Sequence, residues 1–270
     1  MNPAPNPVSM AERFAGLHRE GTLLLLPNAW DAGSARLMRQ LGAEAIATTS
    51  AGLAWSLGHA DGDQLPPDEY EAAVRRIVRV VDCPVTADAE GGYADDPAQA
   101  GEHVARLVGA GAVGVNLEDG SGAAATLARK IEASKAAAAR AGIRLWVNAR
   151  CDVYLRNLAP GRALEETLQR GRLYAQAGAD SLFVPGAAPD DIGALVQGQA
   201  LPLNVMARPN LPPLAELRRL GVRRLSAGSA IAQKAWGTAR DAGAAFLAAG
   251  CTPGLFEGAA NYAEINGAFG

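Results

Sequence analysis

Cysteine is scarce in this chain: Cys83, Cys151 and Cys251 stand far apart. That excludes a disulfide framework or a cysteine zinc cluster and fits a reducing, cytoplasmic setting. An excess of one charge is also missing, since 25 Lys+Arg against 28 Asp+Glu leave a formal net charge of −3. Such a balance offers no basis for binding nucleic acid or an anionic membrane surface. No apolar run approaches the roughly 20 residues of a membrane helix. Residues 1–9 are rich in Pro and Asn and lack the basic-then-apolar layout of a signal peptide. Nor does a G-x-G-x-x-G turn follow the first apolar run, which counts against an open dinucleotide-binding sheet.

What is present is a recurring phrase. Leu41-Gly42-Ala43, Ala110-Gly111-Ala112, Ala177-Gly178-Ala179 and Leu220-Gly221-Val222 each lead into a short apolar run whose polar residues come at its end. A glycine helix stop, a tight turn and a buried strand explain that order. Further strands are expected at Leu23–Leu26, Val85–Glu90, Arg144–Arg150 and Leu203–Met206, with helices over Met10–Glu20 and about Asp31–Gln40. Eight such alternations predict a parallel (β/α)8 barrel of the TIM type, with an open doubly wound sheet as the rival. All 270 residues are read as one barrel domain, with 1–9 a loose arm and 252–270 a C-terminal helical tail. Tyr262 and Phe269 are candidates for packing that tail against a neighbouring subunit, which predicts a homodimer or homotetramer.

Chemistry in such a barrel sits at the C-terminal strand ends. Here those ends carry Asn28 and Asp31, Thr49 and Ser50, Asp88 and Glu90, Asn116 and Glu118, Asn148 and Arg150, Asn204, and Ser226. Strand alternation places Thr86, Asp88 and Glu90 on one side. Two carboxylates so close in an apolar strand call for a cation, and Mg²⁺ suits a few carboxylates plus water and substrate oxygens; Mn²⁺ is the substitute ion. Asp119 and Cys151 have the opposite parity and should face away. Each residue also has a plainer reading: a strand-end Asn, Asp or Ser caps a helix as often as not. Arg150 is alternatively an ion-pair partner of Glu118 or Glu90. His18 and His103 are expected to be solvated, and the arginines of 75–79 form an exposed helix face.

Several segments together resemble the isocitrate lyase/phosphoenolpyruvate mutase superfamily. They are Ser50-Ala51-Gly52-Leu53, Ser56-Leu57-Gly58 with Asp61, Ala87-Asp88-Ala89-Glu90-Gly91-Gly92-Tyr93, Val115-Asn116-Leu117-Glu118-Asp119 and Asn148-Ala149-Arg150. The resemblance implies a modified α/β barrel whose last helices are exchanged between subunits. It implies that Asp88 binds Mg²⁺ directly, while Asp61, Glu90 and Glu118 hold the metal's waters. Arg150 would bind the carboxylate of a 2-oxo acid, and Ser50, Ala51 and Gly52 the other oxyanion, with Trp30 near the substrate. Gly91, Asn116, Asn148 and Asn204 complete the expected substrate site; Arg150, Glu118 and Asp61 are the expected catalytic residues.

Two departures matter. D-A-D in the family is D-A-E here, and the loop bearing K-[KR]-C-G-H is replaced by Gly120-Ser121-Gly122-Ala123-Ala124-Ala125. The acid/base cysteine of the lyases is therefore absent, which disfavours isocitrate or methylisocitrate cleavage. Three readings follow: C–C cleavage beside the carbonyl of a small anionic 2-oxo or 2-hydroxy acid, C–P bond chemistry, or a catalytically silent ligand-binding barrel.

Overall fold

The computed structural model describes residues 6–19, 21–250 and 253–269. Its strands are β1 (Leu24–Leu26), β2 (Asn28–Ala29), β3 (Ile46–Thr48), β4 (Val85–Asp88), β5 (Gly114–Glu118), β6 (Trp146–Arg150), β7 (Ser181–Phe183), β8 (Leu203–Met206) and β9 (Arg224–Ser226). All neighbours pair in parallel, in the order β1-β9-β8-β7-β6-β5-β4-β3-β2. A nearly closed barrel of the (β/α)8 type results, as the alternation predicts. The extra strand is β2, which follows the expected first strand across Pro27. Proline has no N–H for the ladder, and there the chain changes partners: β1 pairs with β9, β2 with β3.

Around the sheet lie α1 (Pro7–Gly16), α2 (Ala32–Gln40), α3 (Ser50–Ser56), α4 (Pro67–Arg79), α5 (Pro97–Gly109), α6 (Ala124–Arg140) and α7 (Ala163–Gln176). They are followed by α8 (Ile192–Gln197), α9 (Leu214–Leu220), α10 (Ala230–Ala249), α11 (Pro253–Phe256) and α12 (Tyr262–Gly267). The glycines of the recurring phrase, Gly42, Gly111, Gly178 and Gly221, take φ of +94°, +103°, +94° and +90°. Only glycine adopts that backbone freely, which is why each helix stop carries one. No helix among the described residues is long and apolar enough to cross a membrane.

The N-terminal segment departs from expectation. The first helix begins at Pro7, inside the expected loose arm, and ends at Gly16, short of the expected Glu20; residues 1–5 and Glu20 lie outside the described ones. Asn6 accepts a hydrogen bond from the Val8 N–H and Pro7 occupies the first turn, a capping pair that starts a helix locally. Its Phe14 ring, fully buried, plugs the barrel at the first residues of β5 and β6. Gly114 makes room for it: a Cβ there would lie 2.9 Å from both Phe14 Cε1 and Thr86 Oγ1.

His18 is likewise buried rather than solvated, stacked on Trp146 at 4.2 Å. Half-buried His103 bonds through Nδ1 to Gly92 O. At the other end, Trp236, Phe246, Leu247, Phe256, Tyr262, Ile265 and Phe269 are exposed apolar side chains. Arg36 ties the end of α12 back to the body by donating from Nε to Ala268 O (2.6 Å). Cys251 lies outside the described residues.

Candidate active site

Asp88 ends β4 and is held from two sides. Its Oδ1 accepts from Asn116 Nδ2 (3.2 Å) and its Oδ2 from the Ser50 N–H (3.3 Å). Strand register explains the first contact, since Asp88, Asn116 and Asn148 lie opposite one another on β4, β5 and β6. Asn116 Oδ1 in turn accepts from Asn148 Nδ2 (2.9 Å) and from Nη2 of Arg224 (3.2 Å). Arg224 is wholly buried, and burial lowers its pKa to about 9. Asn204, also buried, accepts from Ser226 Oγ (3.4 Å), while its Nδ2 has no partner among the described residues.

Glu90 does not continue the alternation of β4. The strand stops at Asp88, and Glu90 takes φ of +46°, a left-handed conformation that swings its side chain out of register. Its Oε2 accepts from the Asp63 N–H (2.5 Å) and its Oε1 from the Tyr93 hydroxyl (2.8 Å). Burial pushes its pKa up to about 7 against those two hydrogen bonds, and the charges of Asp63 and Asp61 push the same way. Asp61 itself is exposed in the loop between α3 and α4. Asp63, two residues on, hydrogen-bonds Glu90 directly, and no motif or strand parity marks it in the sequence. Gly91 comes next; its carbonyl accepts from Lys130 Nζ (2.7 Å).

Glu118 and Arg150 end the adjacent strands β5 and β6 and are direct register partners. Arg150 Nη1 meets Glu118 Oε2 at 2.6 Å. Asp152, fully buried, takes the other edge of the guanidinium, accepting from Nε at 2.7 Å and from Nη2 at 3.1 Å. Arg156 adds Nε to Asp152 Oδ2 at 3.0 Å and approaches Glu118 Oε1 at 3.8 Å. Burial pushes the Glu118 carboxyl up to about 8; Arg150 opposes this, while Asp152, Asp88 and Glu90 reinforce it. Burial also works against the Arg150 charge, but Glu118 and Asp152 outweigh it and raise its pKa. Arg150 lies over the Phe183 ring, 5.9 Å from its centroid.

Asp119 points away from the axis, as its parity predicts. It accepts from Arg170 Nη1 (2.8 Å), from the Tyr174 hydroxyl (2.6 Å) and, through Oδ1, from the Asp152 N–H (2.8 Å). Cys151 is fully buried, and burial pushes its thiol up to about 12, so it cannot replace a loop acid/base. The remaining expected residues lie along β2 and α3. Half-buried Trp30 presses its Cβ toward Gly52, where an added Cβ would sit 3.0 Å away. Buried Ser50 and Ala51 open α3 behind Thr49, which accepts from Gly52 N (3.4 Å).

A phosphoenolpyruvate phosphomutase family model matches residues 14–247, the span that builds this barrel and its rim. The chain belongs to that family. It is 38% identical over 223 residues to the uncharacterized protein Rv1998c of Mycobacterium tuberculosis strain H37Rv, covering 80% of this chain and 81% of the relative. It is 32% identical to the chloroplastic carboxyvinyl-carboxyphosphonate phosphorylmutase of Arabidopsis thaliana, covering 69% of this chain and 58% of that one. A solved structure described as a candidate phosphonomutase, from Burkholderia cenocepacia J2315, superposes with a TM-score of 0.84 at 40% identity. It covers 91% of this chain and 100% of that one. The superfamily is enzymatic and includes phosphonomutases, oxaloacetate decarboxylases and lyases.

Among the described residues no three His, Cys, Asp or Glu side chains are gathered closely enough to ligate one ion directly. A family member that uses Mg²⁺ does not need such a cage, because Mg²⁺ keeps several waters and takes one or two carboxylates. At the rim with Asp88, Glu90 and Glu118 are carboxyls that burial drives toward protonation, and a cation beside them would favour their ionised forms. That set fits a hydrated divalent ion. Asp152 was legible in principle: it stands two residues past Arg150, with the same parity, but beyond the strand end.

Proposed function

We propose that this protein is a Mg²⁺-dependent enzyme that cleaves the C–C bond beside the carbonyl of a small 2-oxo or 2-hydroxy acid. The observation that carries it is two fixed groups at one rim, close enough for the Asp88 charge to act on Arg150: Asp88 is pinned by Asn116 and Ser50, and Arg150 is clamped edge-on by Asp152. Asp88 would hold the ion, with Asp61, Glu90 and Glu118 bonding its waters; Mn²⁺ would serve in its place. When bound, Mg²⁺ supplies Lewis-acid stabilisation of the negative charge that develops as the bond breaks.

The chain's own groups do the rest. Arg150 offers its end edge to the substrate carboxylate, fixing orientation by parallel hydrogen bonds. The phenyl face of Phe183 and the clamp of Asp152 keep that guanidinium from rotating. Asn116, Asn148 and Asn204 line the buried floor, where Ser50, Ala51, Gly52 and Gly91 border a second oxyanion and Trp30 stands at its side. The connection from β5 to α6 is only Asp119–Ala123, and it contains no Lys, Cys or His. With none of those in the loop, the carbanion takes its proton from water. For a 2-oxo acid the pair stays on the 2-oxo fragment as an enolate. For a 2-hydroxy acid the hydroxyl gives up its proton as the new carbonyl forms, and the pair goes to the departing carboxylate fragment. The exposed apolar face of the C-terminal helices supports a homodimer or homotetramer, with those helices exchanged between subunits.

C–P bond chemistry is the second reading, favoured by the 40% identity to the candidate phosphonomutase. Oxaloacetate, phosphonopyruvate and branched 2-alkylmalates, each assayed with Mg²⁺ for release of pyruvate or phosphoenolpyruvate, separate the two. Pyruvate from oxaloacetate or an alkylmalate, lost in Asp88→Ala, supports the first reading; pyruvate or phosphoenolpyruvate from phosphonopyruvate alone supports the second. No turnover of any of them favours a silent ligand-binding barrel.

A further inference from the structure

Arg150 has two edges able to meet a carboxylate in parallel, and both are engaged. Asp152 occupies the side edge, Nε and Nη2, at 2.7 and 3.1 Å. On the other, end edge, Nη1 and Nη2, Glu118 sits on Nη1 at 2.6 Å. The two acids are not equivalent. Asp152 is fully buried, bonds Arg150 twice and Arg156 once, and has its own backbone N–H fixed on Asp119. Asp119 is anchored in turn by Arg170 and Tyr174. Glu118 instead holds Arg150 through one oxygen, and among the described residues its other oxygen meets only Arg156, at 3.8 Å. If either acid yields, Glu118 yields first.

We propose that Glu118 is an internal competitor for the substrate-binding edge of Arg150, so that an anionic substrate binds weakly until Glu118 is drawn off that edge. The inference rests on the reading of Arg150 as the carboxylate-binding residue and of Glu118 as an acid facing the cation. It gives the site an order: whatever attracts Glu118 toward Asp88 frees Nη1, and the substrate carboxylate takes the place the Glu118 carboxylate left. Two carboxylates cannot share that end edge without repelling each other. Cation and substrate are then coupled through one side chain of this chain, beyond any contact they make with each other.

Oxalate titrated calorimetrically into protein stripped of divalent cations tests this without any turnover. Glu118→Gln, of the same shape, and Glu118→Ala, which removes the group, should each bind oxalate about tenfold more tightly than wild type. Glu90→Gln removes an acid from the same rim without touching Arg150 and should stay within about twofold of wild type. Adding Arg150→Met to Glu118→Gln should erase the gain. Unchanged affinity in both Glu118 variants, or an equal gain in Glu90→Gln, overturns the proposal, the latter because a general charge effect would suffice. A separate arm guards the underlying reading: if Arg150→Met binds oxalate with Mg²⁺ as well as wild type does, Arg150 is not the anion site and both fall.

Discussion

His18 makes the stability of this barrel depend on pH in a direction that can be worked out. Its ring is stacked on Trp146 and edge-on to Phe14, with Nδ1–H donating to Phe14 O (2.9 Å). Nε2 is sealed without a hydrogen-bond partner among the described residues, and the Arg224 charge lies close enough to oppose a second proton. Burial first, then Arg224, lowers its pKa from 6.5 to about 3, against the Phe14 hydrogen bond. The folded state therefore stays neutral where the unfolded chain binds a proton. Between those two values protonation favours unfolding, by about 1.4 kcal/mol per pH unit below the unfolded pKa.

At about pH 4.5 His18 alone should cost about 2–3 kcal/mol of stability, and almost nothing at about pH 7.5. Other groups titrate in the same range, so the difference between wild type and His18→Gln is the informative quantity. Urea unfolding of both proteins from about pH 7.5 to 4.5 measures it. The variant starts lower, because the stacking is lost, but its deficit should shrink by about 2 kcal/mol or more on acidification. Parallel curves would mean that His18 is accessible to protons in the folded protein, and the burial assigned to it would be wrong.

Two further outcomes test the interior and the rim. Gly114→Ala puts a Cβ 2.9 Å from Phe14 Cε1 and Thr86 Oγ1, so urea unfolding should show a loss of about 1–3 kcal/mol. A neutral Ala would mean that Phe14 does not fill the barrel end. Arg150→Met strips the cation from buried Asp152 and from Glu118, and should cost about 3–5 kcal/mol in the cation-free protein. A loss below about 1 kcal/mol would mean the three-residue cluster is not formed in solution.

Most of the barrel could be read from the chain because its signals are local. A glycine stop followed by an apolar run with polar residues at its end marks β3, β5, β7 and β9 independently of tertiary context. Pro27 was visible, but its effect depends on which strands flank it, and only the closed sheet shows β1 and β2 taking different partners. The Asn6-Pro7 cap is a local signal too, and it sets the start of α1 inside the Pro- and Asn-rich arm. Parity carried Asp88, Asn116, Glu118, Asn148 and Arg150 to one rim, and failed at Glu90, where a left-handed residue ends the alternation. Burial of His18 came from a partner 128 positions away, Trp146, whose proximity no local pattern encodes. Asp63 reaches Glu90 through its backbone N–H, a contact that side-chain chemistry cannot signal in advance.

The most direct measurement is thermal unfolding with Mg²⁺ and oxalate, alone and together, in wild type and Asp88→Ala. A ligand at 100 times its dissociation constant adds about 2.7 kcal/mol to the folded state. With both present at that excess, wild type should show a rise of about 5–10 °C in unfolding temperature, and Asp88→Ala none. No rise in wild type, or an equal rise in the variant, would contradict a cation held at Asp88 on the rim it shares with Arg150.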